Sequence, residues 1–323
     1  MKSACLGTVV ALLFSASASA ADPEFVKKIY TYKTVDGVDV QADVYRADDA
    51  HVRPVLAHFH GGALIMGSRA GVPKNLLDLC RDEGFALVSF DYRLAPELKL
   101  PAIVEDVEDA LRWLRTKGPE LFHVDPERLV VTGGSAGGYL TLLTGFRVRP
   151  RPKALVAYWG YGDVDGDWYA KPSAFYRTSA PLVDRAEAMR AVGGKVLTGT
   201  SGGRSPRGQY YLYLRQNGFW TKEVTGFEPG RDHDKLTPYC PVRNVSREYP
   251  PTMLVHGTED TDVPYDQSAA MTRELARHGV AHELVTVTGA GHGLAGGDKR
   301  QAAQAHEKAL AFIRRHLQKT GAP

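Results

Sequence analysis

The sequence predicts an α/β fold, with a mostly parallel central sheet, helices on both faces and a partial cap insertion. Three observations support this prediction. Short apolar runs alternate with helical patterns in residues 54–158 and again in residues 252–318. Two apolar runs lead directly into glycine-rich turns. Between the two regular regions, residues 160–249 mix glycines, aromatics and charges without a steady period. Repeated strand–helix alternation is typical of parallel strands covered by helices.

The first apolar runs differ from the later ones because no helix separates them. Residues 25–34 and 38–46 read as two strands joined by Asp36-Gly37. This dipeptide between two strand patterns is a strong hairpin signal. We therefore expect an antiparallel edge in front of the parallel part of the sheet.

The remaining elements follow in chain order. Apolar runs predict strands over 54–59, 86–90, 128–132, 154–158, 252–255 and 282–287. Stripes of apolar residues at helical spacing predict helices over 75–84, 101–117, 136–144, 266–278 and 299–318. The irregular stretch of about 160–249 is too long for an ordinary connection and contains many aromatic residues. We expect it to form a cap inserted into a single domain spanning residues 21–323.

The first twenty residues have the pattern of a secretory signal peptide. Lys2 precedes an apolar run over residues 6–14, and Ala18-Ser19-Ala20 supplies small residues for cleavage. The run is too short to span a membrane, which disfavours an anchor. We expect cleavage after Ala20 and a secreted or periplasmic location, without stable membrane insertion.

Composition limits the classes of partner. Forty basic and 37 acidic residues give a net charge of +3, which is too weak and mixed to indicate nucleic-acid binding. Export permits a disulfide between Cys80 and Cys240, but their spacing leaves pairing open. Asn244 begins a glycosylation sequon whose use depends on the host. Nothing in the sequence indicates an oligomeric state.

The strongest chemical signal is the stretch from Gly133 to Gly137, which reads GGSAG. It follows an apolar strand and precedes an apolar helix, the context of a nucleophile elbow. Small residues permit the sharp turn that exposes the hydroxyl of Ser135 at the positive end of the helix. Ser135 is therefore the predicted nucleophile.

A second glycine-rich loop follows the strand over residues 54–59. Gly61, Gly62 and Ala63 lie where hydrolases place backbone donors for an oxyanion. Glycines permit the close approach that such donors need. The predicted oxyanion hole consists of Gly61, Gly62, Ala63 and Ala136.

Three stretches together resemble the hormone-sensitive-lipase-like esterases. They are His60 to Gly62, residues 91–97 (DYRLAPE) and residues 133–137 (GGSAG), in that family's order. The resemblance implies the α/β-hydrolase fold and a serine esterase. The chain departs from that family at Ala63, which replaces a third glycine. It also departs in residues 256–264 (HGTEDTDVP), which look more like prolyl-oligopeptidase-type hydrolases.

The remaining catalytic residues are predicted from the later loops. The prolyl-oligopeptidase-like motif places the acid at Asp260, and we expect Glu259 and Asp262 to be solvated loop carboxylates. His292 lies in a glycine-rich loop after the last strand and is the predicted base. The order Ser135, Asp260, His292 matches the order of a triad in this fold.

Other candidate features are less specific. His58 and His60 lie two positions apart at the end of a strand, and we expect His60 to brace the oxyanion loop. Residues 231–234 read as a solvated loop. Neither pattern predicts a metal site, and the triad needs no cofactor. In the insertion, Tyr211 and Trp220 belong to an aromatic cluster that either lines a substrate pocket or packs the cap onto the domain.

The predicted function is a secreted serine carboxylesterase acting on small-molecule esters with small to medium acyl groups. Three alternatives stay open. One is an acetyl or feruloyl polysaccharide esterase, and another is a serine peptidase of prolyl-oligopeptidase type, although the chain has no large extra domain. The third is a catalytically inactive binding protein on the same fold.

Overall fold

The computed structural model describes residues 24–200 and 206–318. The predicted signal peptide, residues 1–20, lies outside the described residues.

The described residues form one sheet of eight strands. In chain order the strands are β1 (Phe25–Val35), β2 (Val38–Ala47), β3 (Arg53–Phe59), β4 (Ala86–Phe90), β5 (Val124–Gly134), β6 (Ala154–Tyr158), β7 (Thr252–Gly257) and β8 (His282–Val287). Their order across the sheet is β1-β2-β4-β3-β5-β6-β7-β8. Strand β2 is antiparallel to β1 and to β4, whereas β4, β3, β5, β6, β7 and β8 are mutually parallel. The predicted mostly parallel sheet with an antiparallel edge is confirmed.

Helices cover both faces of the sheet, as predicted. They are α1 (Lys74–Asp82), α2 (Leu100–Phe122), α3 (Ala136–Arg147), α10 (Asp266–Arg277) and α11 (Lys299–Leu317). Buried residues of α2, α3 and α10 join one apolar cluster, and those of α1 and α11 join another. The sheet therefore lies between two cores, and the carboxyl ends of its parallel strands converge at one edge.

In the segment between β6 and β7, the described residues form short helices rather than strands. They are α4 (Asp167–Ala170), α5 (Ala174–Ser179), α6 (Arg185–Met189), α7 (Pro206–Asn217), α8 (Trp220–Thr225) and α9 (His233–Leu236), followed by 3₁₀ turns at Thr237–Tyr239 and Pro241–Arg243. Tyr169, Tyr210 and Trp220 of this segment are buried in the same apolar cluster as α2 and α3. Across the described parts of the chain, no helix has the length and apolarity needed to cross a bilayer.

The structure differs from prediction at the end of α2. The predicted helix ended at residue 117, but the observed helix continues through Gly118 and Pro119 to Phe122. Phe122 is buried, and its ring lies 5.4 Å from that of Trp113. Burial of this aromatic pair offsets the intrinsic cost of glycine and proline in a helix.

Candidate active site

Ser135 occupies a sharp turn between β5 and α3. Its backbone angles are φ 57° and ψ −122°, a conformation that L-residues rarely adopt. Small neighbours make the turn possible, since a Cβ on Gly137 would lie 2.0 Å from the carbonyl oxygen of Phe59. A Cβ on Gly133 would lie 2.5 Å from the same oxygen. The glycines thus permit the close packing that holds this strained serine in place.

A chain of hydrogen bonds joins three of the predicted residues. His292 Nε2 lies 3.1 Å from Ser135 Oγ, and His292 Nδ1 lies 2.8 Å from Asp260 Oδ2. Asp260 lies in the loop after β7, and His292 begins a 3₁₀ turn after β8. The side chains converge because β5, β7 and β8 are parallel and end at the same edge of the sheet.

Further hydrogen bonds fix the carboxylate of Asp260. Its Oδ1 accepts from the backbone N–H groups of Asp262 and Val263, each at 2.9 Å. Its Oδ2 also lies 3.3 Å from Nε2 of the fully buried His256. Burial raises the pKa of the Asp260 carboxyl, but hydrogen bonds from His256 and His292 outweigh burial and hold that pKa below its ordinary value of 3.8. Asp260 is therefore ionised at neutral pH.

The same carboxylate affects His292. Burial lowers the pKa of the imidazole, whereas the hydrogen bond to Asp260 and the charge of Asp262 raise it. The net effect raises the pKa of His292 above its ordinary value of 6.5. The imidazolium form is thus stabilised relative to a histidine in water.

The predicted oxyanion residues lie beside Ser135. A Cβ on Gly61 would lie 3.4 Å from Ser135 Cβ, so the loop passes close to the serine. Gly62 and Ala63 have positive φ angles of 111° and 55°. Within residues 24–200 and 206–318, no backbone carbonyl accepts from the N–H of Gly62, Ala63 or Ala136. As the first residue of α3, Ala136 has no intrahelical acceptor for its N–H. These N–H groups remain available to a ligand.

Several side chains support that loop. The ring of His60 stacks on Tyr92 at 4.2 Å, and its Nδ1 lies 2.7 Å from the carbonyl oxygen of Gly61. The hydroxyl of Tyr92 donates to the carbonyl of His60. His58 instead contacts Ser89 at 2.9 Å. His60 thus braces the loop, as expected, and the two histidines have different partners.

The structure places Trp220 and Tyr211 differently. Trp220 is fully buried, stacks on Tyr169 at 3.8 Å, and donates its indole N–H to the carbonyl of Ala63 at 3.1 Å. This arrangement favours support of the loop over direct contact with substrate. The hydroxyl of Tyr211 hydrogen-bonds to Asp262 Oδ1. Tyr211 thus contacts a residue that lies beside His292 of the triad, whereas Trp220 contacts the oxyanion loop.

The expectation that Asp262 is a solvated carboxylate is wrong. Its side chain is only 16% exposed and accepts from Arg215 Nη1 at 2.6 Å. Its second oxygen, Oδ2, lies 3.5 Å from His292 Nε2. Glu259 is exposed, as expected. The ion pair with Arg215 allows the carboxylate of Asp262 to be largely buried instead of solvated, because a buried charge requires a partner.

Trp159 is a site residue that sequence reasoning missed. It directly follows β6 with a φ of 36°, and its ring meets that of His292 edge-on at 6.3 Å between centroids. A Cβ on Gly134 would lie 3.1 Å from its Nε1. Its position at the carboxyl end of a predicted parallel strand was the signal that could have identified it.

The other candidates take up structural positions. Cys80 and Cys240 are both buried and free. The side-chain nitrogen of Asn244 donates to the carbonyls of Thr237 and Cys240 at 2.8 and 2.9 Å, which occupies the atom that a glycan would need. Among the residues that the structure describes, no group of three or more His, Cys, Asp or Glu side chains is arranged to hold a metal ion.

Long fungal synthases are among the curated relatives of this chain. It is 29% identical over 331 residues to a non-reducing polyketide synthase of Penicillium rubens, covering 87% of this chain and 13% of the synthase. It is also 29% identical over 315 residues to the 5-methylorsellinic acid synthase of Aspergillus terreus, covering 81% of this chain and 12% of that synthase. The chain thus spans about an eighth of the length of these relatives.

Solved structures share the fold. A Staphylococcus aureus protein of unknown function has a TM-score of 0.72 at 20% identity, covering 90% of this chain and 100% of that protein. The propionate-bound thermophilic esterase of Thermogutta terrifontis has a TM-score of 0.61 at 23% identity, covering 92% and 96%. A sarin-phosphonylated form of esterase 2 from that organism has a TM-score of 0.63 at 24% identity, covering 93% of this chain and 98% of that esterase.

A family model settles the relationship of this chain to the hydrolases. The model is described as the alpha/beta hydrolase fold and matches residues 56–296, which include the elbow, the glycine loop and both later site loops. The esterase structures agree with it in fold. The chain belongs to the α/β-hydrolase family, and its motifs resemble those of the hormone-sensitive-lipase-like branch.

Proposed function

We propose that this protein is an exported serine carboxylesterase that hydrolyses small to medium acyl esters. The observation that carries the proposal is the hydrogen-bonded chain from Ser135 through His292 to Asp260 at a strained elbow. Export rests on the signal-peptide pattern of residues 1–20.

In the first half of the proposed reaction, Ser135 Oγ attacks the ester carbonyl. His292 Nε2 takes the hydroxyl proton as the bond forms. Asp260 holds the imidazole with its Nδ1–H donated to Oδ2 and stabilises the imidazolium that develops. The imidazolium then gives its Nε2 proton to the leaving alcohol oxygen, which releases the alcohol and leaves an acyl-serine.

The second half reverses these roles with water. His292 takes a proton from water, and the resulting hydroxide attacks the acyl carbonyl. The tetrahedral intermediate collapses, Ser135 recovers its proton from His292, and the carboxylic acid leaves. In both halves the free N–H groups of Gly62, Ala63 and Ala136 are the proposed donors to the oxyanion.

The synthase relatives favour a second candidate, which is hydrolysis of an acyl thioester. The same serine and histidine can carry out this reaction through the same acyl-enzyme. The supporting observation is the 29% identity to segments of polyketide synthases.

A substrate panel tests the proposed function. We expect the purified protein to hydrolyse acetate, butyrate and hexanoate esters, with weaker activity on matched thioesters and none on dipeptides. Turnover of esters and thioesters would be followed by acid release in a pH-stat, and cleavage of dipeptides by chromatography of the released amino acids. Cleavage of dipeptides but not esters would favour the peptidase, and faster cleavage of thioesters would favour the second candidate. No turnover with any substrate would favour a binding protein.

The pH dependence of ester hydrolysis follows from the surroundings of His292. A base must be neutral, so kcat/KM for a neutral ester should rise with pH through an ionisation above 6.5, the ordinary value for histidine. Asp260 and Asp262 raise the pKa of His292 and Arg215 lowers it. Asp262→Asn should therefore move this rise to lower pH. A pH profile of kcat/KM for both proteins checks the sign, and a shift to higher pH would contradict it.

A further inference from the structure

The two carboxylate oxygens of Asp262 have very different surroundings. Oδ1 accepts from Arg215 Nη1 at 2.6 Å and from the hydroxyl of Tyr176 at 3.0 Å, and it also bonds the hydroxyl of Tyr211. Arg215 donates to the Asp262 carbonyl at 2.9 Å as well. Three groups from the segment between β6 and β7 therefore fix one oxygen and leave the other to face the site.

Oδ2 is the oxygen that faces the site. It lies 3.5 Å from His292 Nε2, the nitrogen that also lies 3.1 Å from Ser135 Oγ. Among the described residues, the hydrogen bonds to the Asp262 carboxylate all end on Oδ1, and the imidazole of His292 is the charged partner near Oδ2. A carboxylate oxygen in this position can accept a hydrogen bond from a bound molecule.

The position of Oδ2 identifies which half of an ester it meets. In the proposed reaction, His292 Nε2 delivers its proton to the alcohol oxygen, so that oxygen must come within about 3 Å of Nε2. Asp262 Oδ2 lies beside the same nitrogen. The group nearest to Oδ2 is therefore the alcohol half of the ester and not the acyl half.

The charge of Asp262 is balanced before any substrate arrives. Arg215 is only 3% exposed, and its guanidinium lies 4.8 Å from the ring centre of Tyr169 and 5.0 Å from that of Tyr176. An ion pair held in this way has little net attraction for a cation. It still accepts a strong hydrogen bond from a neutral hydroxyl, because the acceptor oxygen is ionised.

We propose that Asp262 selects esters whose alcohol half carries a hydroxyl beside the ester oxygen, as in partial esters of polyols and sugars. This inference rests on the proposed esterase function. Binding of such a hydroxyl satisfies Oδ2, whereas an alkyl group of the same size removes water from Oδ2 and offers no donor. Sites built to bond a substrate hydroxyl reject analogues that lack it for this reason.

Two isosteric pairs of acetate esters test the selection. Hydroxyethyl acetate and propyl acetate differ by a hydroxyl in place of a methyl group. Methoxyethyl acetate and butyl acetate differ by an ether oxygen, which accepts hydrogen bonds but donates none. For the wild-type protein, kcat/KM should favour hydroxyethyl over propyl acetate by roughly 10- to 100-fold. Methoxyethyl acetate should have no advantage over butyl acetate.

The variant Asp262→Asn should alter both ratios. The amide oxygen keeps the bonds to Arg215 and the tyrosines, so the amide nitrogen, a donor, takes the place of Oδ2. The preference for hydroxyethyl acetate should fall severalfold, and methoxyethyl acetate should gain about tenfold over butyl acetate. A residue that only stabilised the fold would lower all four rates together. Glu259→Gln, which removes an exposed carboxylate from the same loop, should leave both ratios unchanged.

The outcomes separate this inference from the esterase proposal. If the wild-type protein hydrolyses both pairs of esters with kcat/KM ratios near one, selection by Asp262 is overturned and the esterase proposal stands. Wild-type discrimination that persists in Asp262→Asn also overturns it. Failure of the wild-type protein to hydrolyse any of the four acetates overturns both. If the variant does not fold, the two wild-type ratios still test the inference, since an acceptor at Oδ2 predicts a gain for hydroxyl without a gain for ether and any other pattern overturns it.

Discussion

Ser135→Ala should lower kcat for propyl acetate by a factor on the order of 10⁶, to the rate supported by binding and the oxyanion donors alone. The physical reason is that the proposed acyl-enzyme requires an oxygen nucleophile 3.1 Å from His292 Nε2. Initial rates measured in a pH-stat over long incubations would detect the loss. Alanine is smaller than serine and keeps the turn, so thermal unfolding should change little.

A matched control separates this loss from a general effect of removing a hydroxyl. Ser179 is exposed at the end of α5, far from the elbow in sequence. Ser179→Ala should keep the wild-type rate. Activity of Ser135→Ala within about tenfold of wild type would exclude Ser135 as the nucleophile.

The second large effect is expected at the acid loop. Asp260→Asn should lower kcat for propyl acetate by about 10⁴, because an amide cannot hold the Nδ1–H tautomer of His292 or stabilise its imidazolium. Asp260 Oδ2 lies 2.8 Å from Nδ1, on the side of the ring opposite to Ser135. Asp262→Asn should cost at most about tenfold with the same ester, since Asp262 contacts the other nitrogen and only at 3.5 Å.

The comparison of these two neighbours is informative because both variants lose one negative charge near the same histidine. A general electrostatic effect would lower both rates to a similar extent. A larger loss in Asp262→Asn than in Asp260→Asn would mean that the wrong carboxylate has been assigned to the triad. Recovery of both proteins in folded form would be checked by circular dichroism.

Much of the fold and three of the site residues could be predicted because their signals are local. Alternating apolar runs and helical stripes depend on neighbouring residues, and the turn at Ser135 demands small residues within two positions. Parallel strands end at one edge, so the loops that carry Asp260 and His292 had to meet Ser135. The choice of Asp260 within its loop rested on the resemblance to prolyl-oligopeptidase-type hydrolases, and the other arguments need no knowledge of how distant segments pack.

The surroundings of Asp262 could not be predicted because they depend on distant contacts. Arg215 precedes Asp262 by 47 residues, and the two meet only through the packing of the segment between β6 and β7. That segment has no steady period, so the sequence indicated neither its helices nor the face they present to the site. Trp220 illustrates the same limit, because its bond to Ala63 spans 157 positions.

The central claim is that Ser135 is an activated nucleophile, and labelling with a fluorophosphonate tests it most directly. Such reagents form a stable covalent bond with a serine oxygen that a neighbouring base has activated. Intact mass after incubation should show one adduct per chain, and peptide mapping should place it on Ser135. The adduct should be absent from Ser135→Ala and should form far more slowly in Asp260→Asn. An unlabelled wild-type protein, or an adduct on another residue that persists in Ser135→Ala, would contradict the account.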